Sequence, residues 1–399
     1  MIKMRFLCVI LGLITLSRTQ NPKDLCPDKN YHNPKIEEIA RVNCGPAFQN
    51  KCLCQSICYD EPHPQYVVNC TDAGFTDTSP LKNLSSNTEV LIFTGNYLEE
   101  LDWNIFGTSN SFEKLRVIDM SNNGIREIKG KTYHHVQYVQ RLILDFNRLS
   151  LDSACNHPRV FSNFGSLLEL HLTGAFEKAK SKDLASTLHG IFVNSNLTRL
   201  IKLHLEQNNI FEFLDSNVFC DLPNLLDLHL GDNALTALNF NLSCLHHLRF
   251  LDLQRNKFSR VLERDLHTLD TFAKHGQNVT IDLSGNPLNC SCKLNPFIKW
   301  MEKTKIFVRN KNVLRCDKKG ESHRLQEFKN CSLKLAASTH PGTTVALIFL
   351  SLVLIGLVSA LIYVQRADLR KRLEPVIDSV SKRVRYTSIS TGDNREMDV

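Results

Sequence analysis

Leu225-Leu226-Asp227-Leu228-His229-Leu230-Gly231-Asp232-Asn233 is followed, after a step of 23 residues, by Leu248-Arg249-Phe250-Leu251-Asp252-Leu253-Gln254-Arg255-Asn256. Both stretches put leucine at the first, fourth and sixth positions and asparagine at the ninth. The same spacing occurs at Leu115-x-x-Ile118-x-Met120-x-x-Asn123 and Val139-x-x-Leu142-x-Leu144-x-x-Asn147. Each unit predicts one short strand whose apolar residues point inward. The asparagine side chain then satisfies loop backbone groups that burial would otherwise leave unpaired.

Working outward with the ninth position as the marker gives eight units, at Asn96, Asn123, Asn147, Ala175 (degenerate), Asn208, Asn233, Asn256 and Asn286, with spacings of 27, 24, 28, 33, 25, 23 and 30 residues. This is the leucine-rich repeat. One unit cannot bury its apolar face alone, so the units must stack into a solenoid. The fold class is α/β, a curved parallel β-ladder. Eight strands about 4.8 Å apart span roughly 34 Å. The last repeat starts irregularly, because Asn278 stands where a buried leucine belongs. The longest spacing contains the polar run Phe176 to Asp183, which predicts an interruption near 176–199, either an enlarged convex-side loop or a projection that meets a partner.

The array is flanked by addressing signals. Lys3 and Arg5, an apolar run from Phe6 to Leu16, then Ser17-Arg18-Thr19 read as a secretory signal over 1–19. Val345–Val364 is an uncharged apolar run of membrane-crossing length, and the basic residues after it, Arg366 to Arg385, place the tail in the cytoplasm. The expected layout is a signal at 1–19, a cysteine-rich cap at 20–82, repeats at 83–285, a second cap at 286–332, a stem at 333–344, a transmembrane helix at 345–364 and a tail at 365–399. That is a single-pass type I plasma-membrane protein with its N-terminus outside. Its net charge of +7 is divided between two compartments and gives no argument for nucleic acid.

Cysteines and sequons agree with that topology. Of 14 cysteines only Cys8 lies in the signal, and the others precede the span, where disulfides are the default. Cys26, Cys44, Cys52, Cys54, Cys58 and Cys70 fall in the first cap, and Cys290, Cys292, Cys316 and Cys331 in the second. The first set exceeds the four usual in such a cap, which leaves Cys26 and Cys58 as candidates for an extra pair. Cys155, Cys220 and Cys244 are left over, with Cys220–Cys244 an open pairing and Cys155 a free thiol. Sequons at Asn69, Asn83, Asn196, Asn241, Asn278, Asn289 and Asn330 all precede the span, as glycosylation requires.

No catalytic residue, cofactor or metal ligand is assigned. Gly130-Lys131-Thr132 follows Gly124 with five intervening residues where a phosphate-binding loop has four, and no Gly-x-Ser-x-Gly or His-Glu-x-x-His motif occurs. Recognition falls to the concave face. The fifth positions read Asp119, Ile143, His171, His204, His229, Asp252 and Asp282. Three histidines thus stack on neighbouring strands. Solvated imidazoles need no role, while an acid sensor or a metal-holding column is the alternative.

In the tail, Leu369, Leu373, Val376, Val380 and Val384 fit an amphipathic helix on the inner leaflet, kinked at Pro375, or a solvated stop-transfer segment. Tyr386 and Ile389 fit a tyrosine-based sorting motif, and Met397-Asp398-Val399 suits a PDZ scaffold.

The pair Cys290-x-Cys292 with Asn286-Pro287-Leu288 and Trp300 resembles the C-terminal flanking module of extracellular repeats, which implies Cys290–Cys316 and Cys292–Cys331 bridges. Trp300-Met301-Glu302-Lys303-Thr304, the interrupted array, the span, the basic tail and the terminal Asp398-Val399 together resemble the trophoblast glycoprotein family. The resemblance implies a non-enzymatic surface glycoprotein that binds an extracellular or membrane protein and dampens Wnt/β-catenin signalling. Cell–cell adhesion and an innate-immune co-receptor role are the alternatives. Two features depart from the family, the extra cap cysteines and Met397 where its tail has serine.

Overall fold

Each ladder motif becomes a three-residue strand. In the computed structural model, which describes residues 26, 44–108, 111–150, 160–177, 184–195, 197–274, 278–328 and 341–366, the eight repeat strands are β3 (Val90–Ile92), β4 (Val117–Asp119), β5 (Arg141–Ile143), β6 (Glu169–His171), β7 (Lys202–His204), β8 (Asp227–His229), β9 (Phe250–Asp252) and β10 (Thr280–Asp282). Consecutive strands pair in parallel and in register, so that Ile118, Leu142, Leu170, Leu203, Leu228, Leu251 and Ile281 form one row. At one end an antiparallel cap hairpin, β1 (Leu53–Ile57) and β2 (Gln65–Asn69), joins through β2. At the other, β11 (Phe307–Val308) pairs with β10 and completes an eleven-stranded sheet.

The core lies behind the sheet. First-, fourth- and sixth-position residues such as Leu225, Leu228 and Leu230 are fully buried. Phenylalanines fill the convex side, where Phe213, Phe219 and Phe240 meet edge-on with centroids 5.2–5.5 Å apart. Asparagine joins one repeat to the next. Asn233 Nδ2 donates to Leu205 O at 2.9 Å and Leu230 O at 3.1 Å, while its Oδ1 accepts from the amides of Asn208 and Ile210, both at 3.0 Å. The residue before this position turns left-handed in every repeat: Gly95, Asn122, Phe146, Gly174, Gln207, Asp232, Arg255 and Gly285. A Cβ added at Gly95 would run into the Asp72 carboxylate, which would have to turn aside.

Two convex helices interrupt the loops. The 176–199 interruption holds α1 (Leu184–Ser195), which buries Leu184, Leu188, Ile191 and Phe192. Its His189 bridges Asp215 and Asp221 of the following repeat. A second helix, α2 (Glu263–Lys274), precedes the last repeat, where Asn278 is exposed and Val279 takes the buried place. The C-terminal cap holds α3 (Asn295–Lys303) and the hairpin of β12 (Arg315–Lys318) and β13 (Glu321–Arg324). Thr132, from the discarded phosphate-loop match, is buried and donates to Leu101 O and Asp102 O.

Five disulfides are described: Cys26–Cys58, Cys44–Cys54, Cys52–Cys70, Cys220–Cys244 and Cys290–Cys316. Cys292 is also disulfide-bonded, while Cys331 and Cys155 lie outside the described residues.

The chain divides into two units, Met1–Cys331 and Ser332–Val399. The second contains α4 (Pro341–Val364), with Ile348, Phe349, Leu352, Leu354 and Leu361 exposed along it. Among the described residues, no helix is long and apolar enough to cross a membrane.

Candidate functional site

Strand alternation sends first and third strand residues to the concave face while the middle residue enters the core. At the N-terminal end this face is covered. Val67, Val90 and Val117 pair in register on the concave side, yet all are buried, with Ile57 and Ile92 packed against them. The loop after Ile57 continues across the sheet, and Arg141 Nη1 donates to Asp60 Oδ2 at 2.6 Å. The Cys26–Cys58 disulfide ties down this arm, as does the Cys26 amide donating to Pro62 O at 2.8 Å.

Beyond the arm the histidine column is open. His171, His204 and His229 are neighbours on β6, β7 and β8. Their rings stack with centroids 4.1 Å apart at both steps and interplanar angles of 14° and 10°. The three side chains are about one-fifth exposed, at 20%, 19% and 20%. Asp119 and Ile143, earlier in the column, are half-buried. Asp252 and Asp282 share its register but are buried, and their Oδ1 atoms accept from the amides of Gln254 and Ser284 at 2.9 Å, as Asp119 Oδ1 does from Ser121 at 3.0 Å. These aspartates structure the turns after their strands, and the half-buried part of the column runs from Asp119 and Ile143 through the three histidines.

Carboxylates not singled out from the sequence complete the column. Glu169 accepts from Arg141 Nε and Lys202 Nζ, each at 2.7 Å, with His171 Nε2 at 3.5 Å. The His171 hydrogen bond, helped by Arg141 and Lys202, holds the Glu169 carboxyl far below its ordinary range. Glu206 Oε1 lies 3.1 Å from His204 Nδ1 and 3.7 Å from His229 Nδ1. Burial pushes Glu206 up, but the His204 hydrogen bond and the neighbouring imidazoles carry it below the usual value. Asp145, beside them, is raised by burial. His229 is pushed down to about 4 by burial and by His204. The signal for the missed acids was present in the sequence: Glu169-x-His171 and His204-x-Glu206 put acid and imidazole two residues apart, on one side of an extended chain.

A leucine rich repeat family profile matches residues 198–258, which includes β7 to β9. Trophoblast glycoprotein of Macaca fascicularis is 24% identical over 354 residues, covering 85% of this chain and 81% of its own. The Mus musculus protein is 28% identical over 190 residues, 46% of this chain and 43% of its own. This is a leucine-rich repeat chain similar to trophoblast glycoprotein. Lumican of Coturnix japonica is 27% identical over 44% of this chain and 54% of its own. The crystal structure of human trophoblast glycoprotein, also titled Wnt-activated inhibitory factor 1, matches with a TM-score of 0.58 at 24% identity, over 65% of this chain and 91% of that one. At that identity the structural likeness speaks to the fold alone. These relatives are repeat glycoproteins, a class whose concave sheets display side chains to other molecules.

Of the remaining sequence candidates, Asn83, Asn241, Asn278 and Asn289 are exposed and Asn69 is half-buried. Asn196, Asn330, Tyr386, Ile389, Met397, Asp398 and Val399 lie outside the described residues.

Proposed function

We propose that this chain is a non-enzymatic, single-pass cell-surface glycoprotein whose concave face binds a protein partner and dampens Wnt/β-catenin signalling. The observation that carries the binding reading is the open column His171, His204 and His229, with Glu169 and Lys202 beside it, on a rigid sheet past the end of the covering arm. The Wnt direction leans on the printed name of the human structural relative and on likeness to trophoblast glycoprotein along most of the chain.

Membrane anchorage belongs to the same proposal. What supports it is the sequence run Val345–Val364, 20 residues without a charge, the length that a hydrocarbon core of about 30 Å asks for at roughly 1.5 Å per residue. Glycans at the exposed sequons, the sorting use of Tyr386 and Ile389, and PDZ capture of Met397-Asp398-Val399 complete it, supported by sequence pattern and topology.

Full-length chain expressed in dispersed cells should lower a β-catenin reporter and leave cells unclustered. Clustering of expressing cells with an unchanged reporter would instead assign the chain to adhesion.

A further inference from the structure

The C-terminal end of the histidine column differs from its start in one respect. Glu169 is neutralised by two fixed cations, Arg141 and Lys202. Among the described residues, the basic groups within 4 Å of Glu206 and Asp252 are imidazoles only. One ligand atom each from His204, Glu206 and His229 lie within 4.8 Å of one another. We propose that these three residues bind a divalent transition-metal ion of the zinc class on the concave face.

The distances suit such an ion. Bonds of about 2.0–2.1 Å to a tetrahedral centre separate adjacent ligand atoms by roughly 3.3 Å. Glu206 Oε1 sits 3.1 Å from one Nδ1 and 3.7 Å from the other, values that bracket that separation. Imidazole lone pairs lie in the ring plane, so the two stacked rings must splay about χ2 to converge on one ion. Both side chains are about one-fifth exposed on the concave surface, at 19% and 20%.

Support behind the ligands is already in place. Thr173 Oγ1 donates to Glu206 Oε2 at 3.1 Å, fixing the carboxylate with its other oxygen toward the rings. Asp252 Oδ2, 3.9 Å from His229 Nδ1, is the next acid in reach. Gly231 leaves room for it, since a Cβ there would stand 3.0 Å from that oxygen. His171 belongs to the stack but turns its Nε2 toward the neutralised Glu169, outside the ligand set. Two imidazoles and one carboxylate leave a coordination position for water or for a partner's side chain. The site is independent of the signalling proposal, because metal uptake is read on the protein alone.

Full-length glycoprotein in detergent, stripped with chelator, should take up one equivalent of Zn²⁺ in a calorimetric titration at about pH 7.4. Co²⁺ in its place should give the visible absorption of a low-symmetry N/O site. His204→Gln with His229→Gln, and Glu206→Gln separately, should each weaken binding by more than about a hundredfold, beyond the roughly 10–100-fold typical of losing an outer support. His171→Gln should leave it unchanged. Near-UV circular dichroism matching wild type certifies each variant, and the isosteric Glu206→Gln decides the matter if the double variant does not fold. No saturable uptake by the wild type, uptake retained by a folded Glu206→Gln or double variant, or equal loss in His171→Gln would overturn the site.

Discussion

Asn233 shows what a ladder asparagine does. It is buried, and it serves three backbone carbonyls and two amides across two repeats. Asn233→Ala strands these groups without water, and urea unfolding should show a loss of about 2–4 kcal/mol. A loss under about 0.5 kcal/mol would mean that the surrounding loop satisfies itself. Glu169 supports a different test. Its carboxyl is depressed by the His171 hydrogen bond and by Arg141 and Lys202, so the folded state binds its proton less readily than the unfolded state does. The stabilisation is complete above the unfolded value of about 4.3 and is lost as pH falls below it. Glu169→Gln should lower the melting temperature at neutral pH and flatten the acid limb below about pH 4.5. An unchanged limb would show that the ion cluster adds nothing to folding. The asparagines and the in-register histidines were legible because both hold fixed places in a nine-residue motif that every repeat restates. Glu206 and Asp145 were not picked out, because a count of leucines does not register which polar neighbours converge.

At the scale of elements, the first cap is where structure adds most to sequence. Six cysteines in a short span implied a cap with one pair more than usual. That the extra bridge, Cys26–Cys58, anchors an arm across the concave face depends on contacts over long sequence distances, such as Asp60 with Arg141. A Cys26→Ser, Cys58→Ser double variant removes a 32-residue cross-link, with an entropic cost of about 2–4 kcal/mol. Hydrogen exchange should rise at residues 57–69 and stay at wild-type rates in β7 to β9. Uniform acceleration throughout the solenoid would mean that the arm staples the whole array. The helix α1 was half legible. Leu184, Leu188, Ile191 and Phe192 recur at helical spacing, but the lysine-rich run before them reads as loop, and a repeat period says nothing about what fills a long interval. Cys220 and Cys244 do not occupy equivalent repeat positions, so spacing left their pairing open, whereas the convex loops of successive repeats bring their Cα atoms to 5.3 Å.

Taken whole, the repeat unit is a ruler of parallel strands, closed at both ends by disulfide caps and covered at one end of its concave side. Its fold was readable from the sequence because each repeat states the same rule. The accessible stretch of the face was not, because it depends on where the arm stops. That stretch, β6 to β8, is the binding surface in the function proposed here. Glu169→Asn with His171→Thr creates a sequon on β6 and places a glycan over this surface while sparing His204, Glu206 and His229. The most direct measurement is β-catenin reporter activity in dispersed cells carrying equal surface amounts of this variant and the wild type. Suppression by the wild type and its loss in the glycan-bearing variant is the predicted result. Equal suppression by both, with the added glycan verified by a mass shift, would place the functional surface elsewhere on the molecule.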